Sequence, residues 1–339
     1  MEISETHPSY VIYIVDDCLL SLINIVKTIE ISPSDDPELY CKKMKELSTL
    51  IPENIKSELK KILDNQTPLL LFKFNEYILN DQQDKPDTPP NNKCKVGEKT
   101  ILAKIQSLFV SFISNLVSYE AEGYGRIFQD IVPDILMSNH QSSVGSNKEL
   151  EIHTEQAFSK LKPEFLSLSC IRGDNTALTY ILSLKTILLH LDEPDKKILQ
   201  QPLWKIGVDY SFKQHGNEFI DGNERGPIPI ININDVDGEQ DPILVFDQDL
   251  MIGITEEANE IIEKITKIYY EHRIQHCLQP GEIIIINNNK AVHGRSGFKP
   301  KYDGKDRFLI RCFGMLDEKY QKTSYARTNK STMFSAIYS

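Results

Sequence analysis

The hydrophobic pattern of this chain changes near residue 124. Before that point, apolar residues recur every three or four positions, which is the spacing of one buried helix face. This spacing predicts helices at residues 19–29, 38–50, 53–63 and 101–119. A short apolar run at residues 10–15 predicts a strand. Residues 81–98 are rich in Asp, Asn, Pro and Lys, which predicts an exposed, mobile loop.

After residue 124, short β-branched or apolar runs alternate with turn residues, a pattern typical of strands. The predicted strands lie at residues 150–152, 165–170, 228–233, 243–246, 283–286 and 308–313. Helical spacing interrupts them at residues 176–190 and 256–272. We therefore expect an α+β, mainly β fold, in which an antiparallel core is wrapped by N-terminal and inserted helices. A jelly roll is one way to close such a sheet.

The first 120 residues and the remainder differ in the spacing of their apolar residues, but they are expected to form one integrated domain. Residues 1–120 would be an N-terminal helical region packed on the core, and residues 121–339 would form that core. A chain of 339 residues is long enough to bury a substantial interior. No internal repeat is visible.

Charge and cysteine content exclude several classes of protein. A net charge of −11 argues against nucleic-acid binding, which needs clustered Lys and Arg residues. The six cysteines are scattered without a C-x-x-C pair, which argues against a zinc knuckle or a disulfide framework. No basic segment precedes the first apolar run, and no run approaches the roughly 18 apolar residues of a membrane span. We expect a cytoplasmic protein with reduced thiols and no membrane or nucleic-acid partner.

His153 and Glu155 are the first candidates for chemistry. They follow the predicted strand at residues 150–152, and side chains two positions apart on a strand share a face. His293, beyond the strand at residues 283–286, is the best third ligand. Two histidines and one carboxylate leave open positions on a metal, as non-haem iron oxygenases require. The same set also suits zinc, and an isolated H-x-E triplet is usually coincidental.

Two arginines strengthen the interpretation of His293. Arg307 and Arg311 follow it by fourteen and eighteen residues, in the strand-like sequence RFLIR. Their four-residue spacing keeps both guanidinium groups on one face, and their apolar neighbours imply partial burial. Each buried guanidinium then needs an anion. A dicarboxylate co-substrate would satisfy one and an amino-acid carboxylate the other, whereas salt bridges to Asp or Glu are the structural alternative.

Six segments together resemble the clavaminate synthase-like branch of 2-oxoglutarate oxygenases, whose members hydroxylate free amino acids such as arginine, asparagine and lysine. They are QDIVP from Gln129, HTE from His153, LSCIRGDNTALT from Leu168, FDQDL from Phe246, PGEIIIINNNKAVHGRSGF from Pro280 and YDGKDRFLIR from Tyr302. They lie between about residues 125 and 315, and the segment around His293 is the most specific. The N-terminal third contributes little to the resemblance.

The resemblance implies a double-stranded β-helix, with Fe(II) bound by His153, Glu155 and His293. Its other implied requirements are 2-oxoglutarate and O2, and its implied products include succinate and CO2. By position, Arg307 would bind the distal carboxylate of 2-oxoglutarate, assisted by Thr179.

The resemblance also implies a set of contacts to the amino-acid substrate. Arg311 would bind the substrate carboxylate, with Ser143 nearby. Gln129 and the free oxygen of Glu155 would receive the α-amino group.

Asp247 and Asp249 are the most informative residues about the substrate side chain. A D-x-D sequence is usually a solvated turn, but in arginine-hydroxylating relatives it grips a side-chain cation. Two carboxylates facing one pocket repel each other unless a cation neutralises them. We therefore expect a basic L-amino acid. The resemblance is closest to the free-lysine hydroxylases, which favours lysine over arginine, and carbon 4 is preferred to carbon 3.

Two alternatives of other classes stay open from the residues alone. A zinc hydrolase could use the same three ligands, but it would leave Arg307 and Arg311 unexplained. A small-molecule binding protein without catalytic activity, built on a β-barrel, is the other alternative.

Overall fold

The computed structural model describes residues 8–74, 78, 84–209, 212, 224–236 and 239–335. Its α-helices are α1 (Asp16–Lys27), α2 (Pro37–Ser48), α3 (Glu53–Leu63), α4 (Ile101–Ile113), α5 (Leu184–His190), α6 (Glu193–Ile198), α7 (Glu256–His272) and α8 (Asp317–Lys322). The first nine strands are β1 (Val11–Tyr13), β2 (Leu69–Lys73), β3 (Asn115–Tyr119), β4 (Gln129–Ile131), β5 (Leu150–His153), β6 (Phe165–Arg172), β7 (Thr179–Ser183), β8 (Trp204–Gly207) and β9 (Glu224–Ile228). The others are β10 (Ile231–Val236), β11 (Glu239–Leu244), β12 (Met251–Gly253), β13 (Ile274–His276), β14 (Glu282–Asn287), β15 (Ala291–Arg295), β16 (Phe308–Met315) and β17 (Met333–Phe334).

The first three N-terminal helices form where the apolar spacing predicts them. Each buries one stripe of side chains, such as Leu22 and Val26 of α1 and Leu59 of α3. Asp36 caps α2 by accepting a hydrogen bond from the amide of Leu39 (3.0 Å). These helices share one hydrophobic cluster with α4.

The predicted helix at residues 101–119 is wrong in its second half. Helix α4 ends at Ile113, and Asn115–Tyr119 is strand β3, with Val117 opposite Phe313 of β16. A continuous apolar run suits a buried helix and a buried strand equally well. The free edge of β16 decides the outcome, because it supplies hydrogen-bond partners that a local pattern cannot reveal.

Two further predictions need correction. Residues 176–190 are not one helix, because Thr179–Ser183 is strand β7 and only Leu184–His190 is helical. The Ser183 hydroxyl caps that helix by accepting from the amide of Thr186 (3.0 Å). The predicted strand at 228–233 is divided between β9 and β10, and Pro229, which has no amide hydrogen to donate, lies between them.

The segment predicted as an exposed loop is irregular, as expected, apart from a 3-10 turn at Gly97–Lys99. It is not exposed throughout. Asp84, Thr88 and Glu98 are buried, and the Thr88 hydroxyl donates to the carbonyl of Asp306. Residues 81–83 lie outside the described part of the chain. Hydrogen bonds to the core therefore bury side chains that composition alone assigns to solvent.

Two sheets form the centre of the molecule. The larger has the order β1-β2-β14-β6-β16-β3-β17, with β4 also paired to β16, and the smaller has the order β13-β7-β15-β5. Leu166 and Ile284 of the larger sheet share a hydrophobic cluster with Ile181 and Val292 of the smaller one. The helices α1–α4 pack together with residues of the larger sheet in a second cluster. The fold thus combines mixed sheets with helices and leaves an opening between the sheets.

All six cysteines lie in the described residues, and all six are free thiols. Within the same part of the chain, none of the helices has the length and apolarity needed to cross a lipid bilayer.

Candidate metal centre and substrate pocket

Strands β5 and β15 bring two imidazoles together. His153 ends β5 and lies opposite His293 of β15 in the antiparallel register, with 4.4 Å between ring centroids. Glu155 follows two residues later, and its Oε2 lies 3.6 Å from Nε2 of His293. One potential ligand atom from each of the three side chains lies within 4.8 Å of the others. A single cation is therefore within reach of all three.

The protonation states of these side chains suit a divalent metal. Nδ1 of His153 donates to the carbonyl of Glu151 (2.8 Å), which leaves Nε2 free as a ligand. Burial, with a contribution from His153, lowers the pKa of His293 to about 4, so its ring is neutral. Burial alone would raise the pKa of Glu155, but Arg311 and His293 lower it to about 2. Neutral imidazoles and an ionised carboxylate are the forms that bind metal.

Asn288 holds the backbone of Glu155 in place. Its Oδ1 accepts from the amide of Glu155 (2.7 Å), and its Nδ2 donates to the carbonyls of Glu155 (3.0 Å) and Pro163 (2.8 Å). The side chain is completely buried. Sequence reasoning missed this residue, because three consecutive asparagines after a strand look like an ordinary turn.

A cavity of about 750 Å³ opens beside the three side chains. All the residues predicted for the site line it: Gln129, Ser143, His153, Glu155, Thr179, Asp247, Asp249, His293, Arg307 and Arg311. This volume falls within the usual range for small-molecule sites, roughly 300–1,000 Å³.

Arg307 lies in this cavity and forms no ion pair with a carboxylate of the described residues, although the charge of Asp174 acts on it. It is only 5% exposed, and no described residue makes a hydrogen bond or ion pair with its guanidinium. The hydroxyl of Thr179 is also buried and lacks a partner in the described part of the chain. An uncompensated buried charge is costly, so this arrangement suits an anionic ligand. The donors present therefore fit a carboxylate.

Arg311 is different, because it already has acidic partners. Its Nη1 donates to Oε1 of Glu155 (3.1 Å), its Nε donates to Oε1 of Gln129 (3.1 Å), and its Nη2 contacts Glu122. In the ligand-free protein Arg311 is therefore paired with glutamates, which is the salt-bridge alternative that the sequence left open. Sequence reasoning missed Glu122, which lies in an irregular segment without a motif. Nε2 of Gln129 has no partner among the described residues.

Ser143 lines the cavity, but its contact differs from the predicted one. Its backbone carbonyl accepts a hydrogen bond from Nη1 of Arg295 (3.2 Å). Within the described residues it makes no hydrogen bond to Arg311. A role for the Ser143 hydroxyl in substrate binding stays a prediction.

The D-x-D sequence is both a turn and part of the cavity wall. Oδ1 of Asp247 accepts from the amides of Asp249 (3.0 Å) and Leu250 (2.8 Å), as in a capped turn. Asp247 is buried and pairs with His153 in an isolated β-bridge, whereas Asp249 is exposed. Burial, with the charge of Asp249 in addition, raises the pKa of Asp247 to about 7.

Asp209 is a further acidic residue of the cavity, and sequence reasoning missed it. Burial, followed by the charges of Asp247 and Glu122, raises its pKa to about 7. The negative charge of Asp247 disfavours ionisation of Asp209, and the reverse also holds. A cation placed among them would relieve that repulsion.

Comparison with known proteins identifies the family. A model described as "Taurine catabolism dioxygenase TauD, TfdA family" matches residues 109–313. The chain belongs to this family. It is 44% identical to the L-lysine 3-hydroxylase of Catenulispora acidiphila over 75% of this chain and 69% of that protein. It is 29% identical to the L-asparagine oxygenase of Streptomyces coelicolor over 70% of this chain and 68% of that protein.

The TauD/TfdA fold is also supported by a solved structure. A crystal structure of asparagine oxygenase in complex with Fe(II), 2S,3S-3-hydroxyasparagine and succinate superimposes with a TM-score of 0.84. The match covers 96% of this chain and 99% of that one at 22% identity. At this identity the likeness establishes the fold.

This TauD/TfdA protein is a non-haem iron, 2-oxoglutarate-dependent dioxygenase. Its cofactor and co-substrates are Fe(II), 2-oxoglutarate and O2. The prediction of an oxygenase is confirmed, and the alternatives of a zinc hydrolase and of a binding protein without catalytic activity are set aside.

Proposed function

We propose that this enzyme hydroxylates the side chain of free L-lysine and releases succinate and CO2. The observation that carries the proposal is the acidic wall of the cavity beside the candidate metal centre, formed by Asp247, Asp249 and Asp209. Similarity to an L-lysine 3-hydroxylase at 44% identity supports it.

His153, Glu155 and His293 are the proposed iron ligands. When bound, iron with 2-oxoglutarate and O2 supplies the oxidising power that inserts one oxygen atom into an unactivated C–H bond. The residues of the chain supply binding and orientation. The neutral ring of His293 and the ionised carboxylate of Glu155 are the forms that bind such a metal.

Arg307 is the proposed partner of the distal carboxylate of 2-oxoglutarate, with the hydroxyl of Thr179 as a second donor. Both lack a protein acceptor in the described residues, so neither has to give up an existing bond. A bidentate pair between Arg307 and the carboxylate would fix the co-substrate in one direction.

Arg311 is the proposed partner of the substrate carboxylate, with Ser143 beside it. To bind the substrate carboxylate, Arg311 must share hydrogen bonds now made to Glu122 and Gln129. The α-amino group would then donate hydrogen bonds to a carboxylate oxygen of Glu155 and to the amide oxygen of Gln129. Glu122 adds another acceptor for this ammonium group.

The side-chain ammonium of lysine would lie among Asp247, Asp249 and Asp209. A neutral side chain of the same length would leave the buried carboxyl group of Asp247 without a counterion and the three carboxylates mutually repelling. The sequence favoured hydroxylation at carbon 4. Similarity to a lysine 3-hydroxylase supports carbon 3, and we propose carbon 3 as the site of attack. A shift of about 1 Å in the bound side chain would change the carbon that reacts.

We also propose that the two sheets close as a jelly roll, and that residues 1–120 form one domain with residues 121–339. Strands β1 and β2 from the N-terminal region belong to the larger sheet, next to β14. Helix α4 packs with the larger sheet in the same hydrophobic cluster. An N-terminal region that contributes strands to the central sheet folds together with that sheet.

The test is product analysis with Fe(II), 2-oxoglutarate and a panel of free amino acids: lysine, arginine, asparagine and norleucine. We expect succinate release and a gain of one oxygen on lysine, with little product from norleucine. Fragmentation and NMR of the product would assign the carbon. An oxygen gain on asparagine or norleucine, with lysine unchanged, would contradict the cationic pocket and leave the oxygenase assignment intact.

Variants connect this test to the acidic residues. Asp247→Asn and Asp249→Asn should lower lysine turnover while leaving the binding of iron and 2-oxoglutarate unchanged. Asp303→Asn is the matched control, because Asp303 is exposed and lies outside the cavity lining. Equal loss of lysine turnover in the control would mean that the aspartates act through general charge.

A further inference from the structure

We infer that Arg295 is a second anchoring group for the co-substrate, and that it binds the distal carboxylate of 2-oxoglutarate together with Arg307. The inference rests on the proposed placement of that carboxylate at Arg307. It adds a specificity-determining residue that neither the sequence motif nor the ligand set assigns.

The position of Arg295 follows from strand geometry. It lies two residues after His293 on β15, so the two side chains share the face that borders the cavity. In the pairing of β15 with β7, Arg295 lies directly opposite Thr179. Side chains of directly opposed residues are neighbours, with Cβ atoms about 4.5–5.5 Å apart. Arg295 therefore adjoins the hydroxyl already proposed for this carboxylate.

The charge of Arg295 is uncompensated within the described residues. Its Nε donates to the carbonyl of Ser296 (3.1 Å), and its Nη1 donates to the carbonyl of Ser143 (3.2 Å). No carboxylate of the described chain pairs with it, although it is only 5% exposed. Neutral carbonyls satisfy two of its five N–H groups and leave the positive charge without a counterion.

Arg307 also forms no ion pair with a carboxylate of the described residues, although the charge of Asp174 acts on it, and it lies close to Arg295. The guanidinium carbons of Arg295 and Arg307 lie 5.1 Å and 5.8 Å from the centre of the same ring, that of Phe298. Both side chains line the one cavity. Two buried like charges repel each other, and a carboxylate between them would neutralise part of that charge while accepting from both.

No carboxylate of the described residues that line the cavity forms an ion pair with Arg295 or Arg307. Glu155 and Glu122 are engaged by Arg311. Asp247 uses Oδ1 to cap its own turn. The cavity thus contains two separate charged groups of residues. The aspartates favour a bound cation, and the pair Arg295 and Arg307 favours a bound anion.

A purely structural role is the competing explanation, because the bond to Ser143 also fastens that segment of the cavity wall. Two 2-oxo acids separate the explanations. 2-Oxoglutarate and 2-oxovalerate share the five-carbon chain and the chelating 2-oxo acid group, but 2-oxovalerate ends in a methyl group. A group that contacts the distal carboxylate must discriminate between them, whereas a general change in the cavity wall affects both.

The experiment measures dissociation constants of both acids by calorimetry on the Fe(II)-loaded enzyme without O2. We expect Arg295→Gln to weaken binding of 2-oxoglutarate on the order of tenfold or more, as loss of a charge-assisted contact implies, and to leave 2-oxovalerate within about twofold. Arg295→Lys should restore part of the preference for 2-oxoglutarate. Equal weakening of both acids, or no weakening, would overturn the inference.

Two further variants keep the result interpretable. Arg307→Gln should show the same selective loss. If it does not, the proposed co-substrate placement fails, whereas selective loss in Arg307→Gln alone removes only the role of Arg295. Arg327→Gln is the matched control, because Arg327 also donates to two backbone carbonyls and stacks on an aromatic ring, but lies outside the cavity lining. It should bind both acids normally.

Discussion

His153 and His293 face each other across neighbouring strands, with their ring centroids 4.4 Å apart. They are direct partners in the pairing of β5 with β15, and β15 is also paired with β7 on its other side. Backbone hydrogen bonds of the sheet therefore set the distance between the imidazoles. The metal site is largely preformed by the fold.

His293→Ala should abolish iron binding and turnover while leaving the fold intact, because the sheet does not depend on the imidazole. Metal content after dialysis and the thermal unfolding midpoint would check the two parts separately. His190→Ala is the control, since His190 lies on α5 outside the cavity lining. Near-normal product formation by His293→Ala would remove His293 from the site.

Arg307→Ala and Arg311→Ala should raise the KM of different substrates. Arg307→Ala should raise the KM for 2-oxoglutarate far more than that for lysine, and Arg311→Ala should do the reverse. Removing one partner of a buried, hydrogen-bonded charge pair costs on the order of 2–5 kcal/mol. Steady-state kinetics with each substrate varied in turn would measure the split. Equal effects on both substrates would show that the arginines are structural or have exchanged roles.

Lysine affinity should rise with pH between about 6 and 8. Because the pKa of Asp247 is raised to about 7 by burial and by Asp249, its carboxyl is mostly protonated at pH 6 and ionised at pH 8. Only the ionised form attracts the ammonium group.

The folded state also retains the proton of Asp247 above the pH at which the unfolded chain releases it. The contribution of Asp247 to stability therefore falls as pH rises from about 4 to about 7.

Calorimetric titration of lysine at pH 6, 7 and 8 would measure this dependence. Asp247→Asn should bind lysine weakly and with a flatter pH profile. Lysine should also raise the unfolding midpoint of the unaltered enzyme more at pH 8 than at pH 6. An unchanged pH profile in Asp247→Asn would assign the titration to another group, such as Asp209.

Asn288→Ala should lower stability and loosen the metal. The variant loses three buried hydrogen bonds and leaves the peptide of Glu155 unpaired, which should cost about 2–4 kcal/mol in the free energy of unfolding. Iron affinity should fall about 10–100-fold, as for other supporting residues of metal ligands. Denaturant titration and metal competition would measure the two effects.

Asn259→Ala is the matched control for Asn288. Its side chain also bonds both backbone groups of one residue, Gly253, but that residue lies away from the candidate ligands. It should lose some stability and keep normal iron affinity. Equal loss of iron affinity in both variants would show that Asn288 acts only through global stability.

The candidates for the metal ligands and for the carboxylate partners could be named from the sequence alone. The spacing in H-x-E, the distal His293 and the pair Arg307 and Arg311 are local signals, because strand periodicity fixes which side chains share a face. The apolar spacing likewise located the first three helices and the antiparallel strands around residues 165–170, 283–286 and 308–313.

Which residues from distant segments meet is a property of the folded chain. β3 was predicted as helix because its identity as a strand depends on the edge of β16, 200 residues further along the chain. Glu122 and Asp209 lie outside the segments that carry the resemblance, and Asn288 and Arg295 lie inside one of them without an assigned role. Each becomes significant only through neighbours that folding brings to it. Local pattern encodes the direction of a side chain, whereas burial and charge compensation are properties of the assembled core.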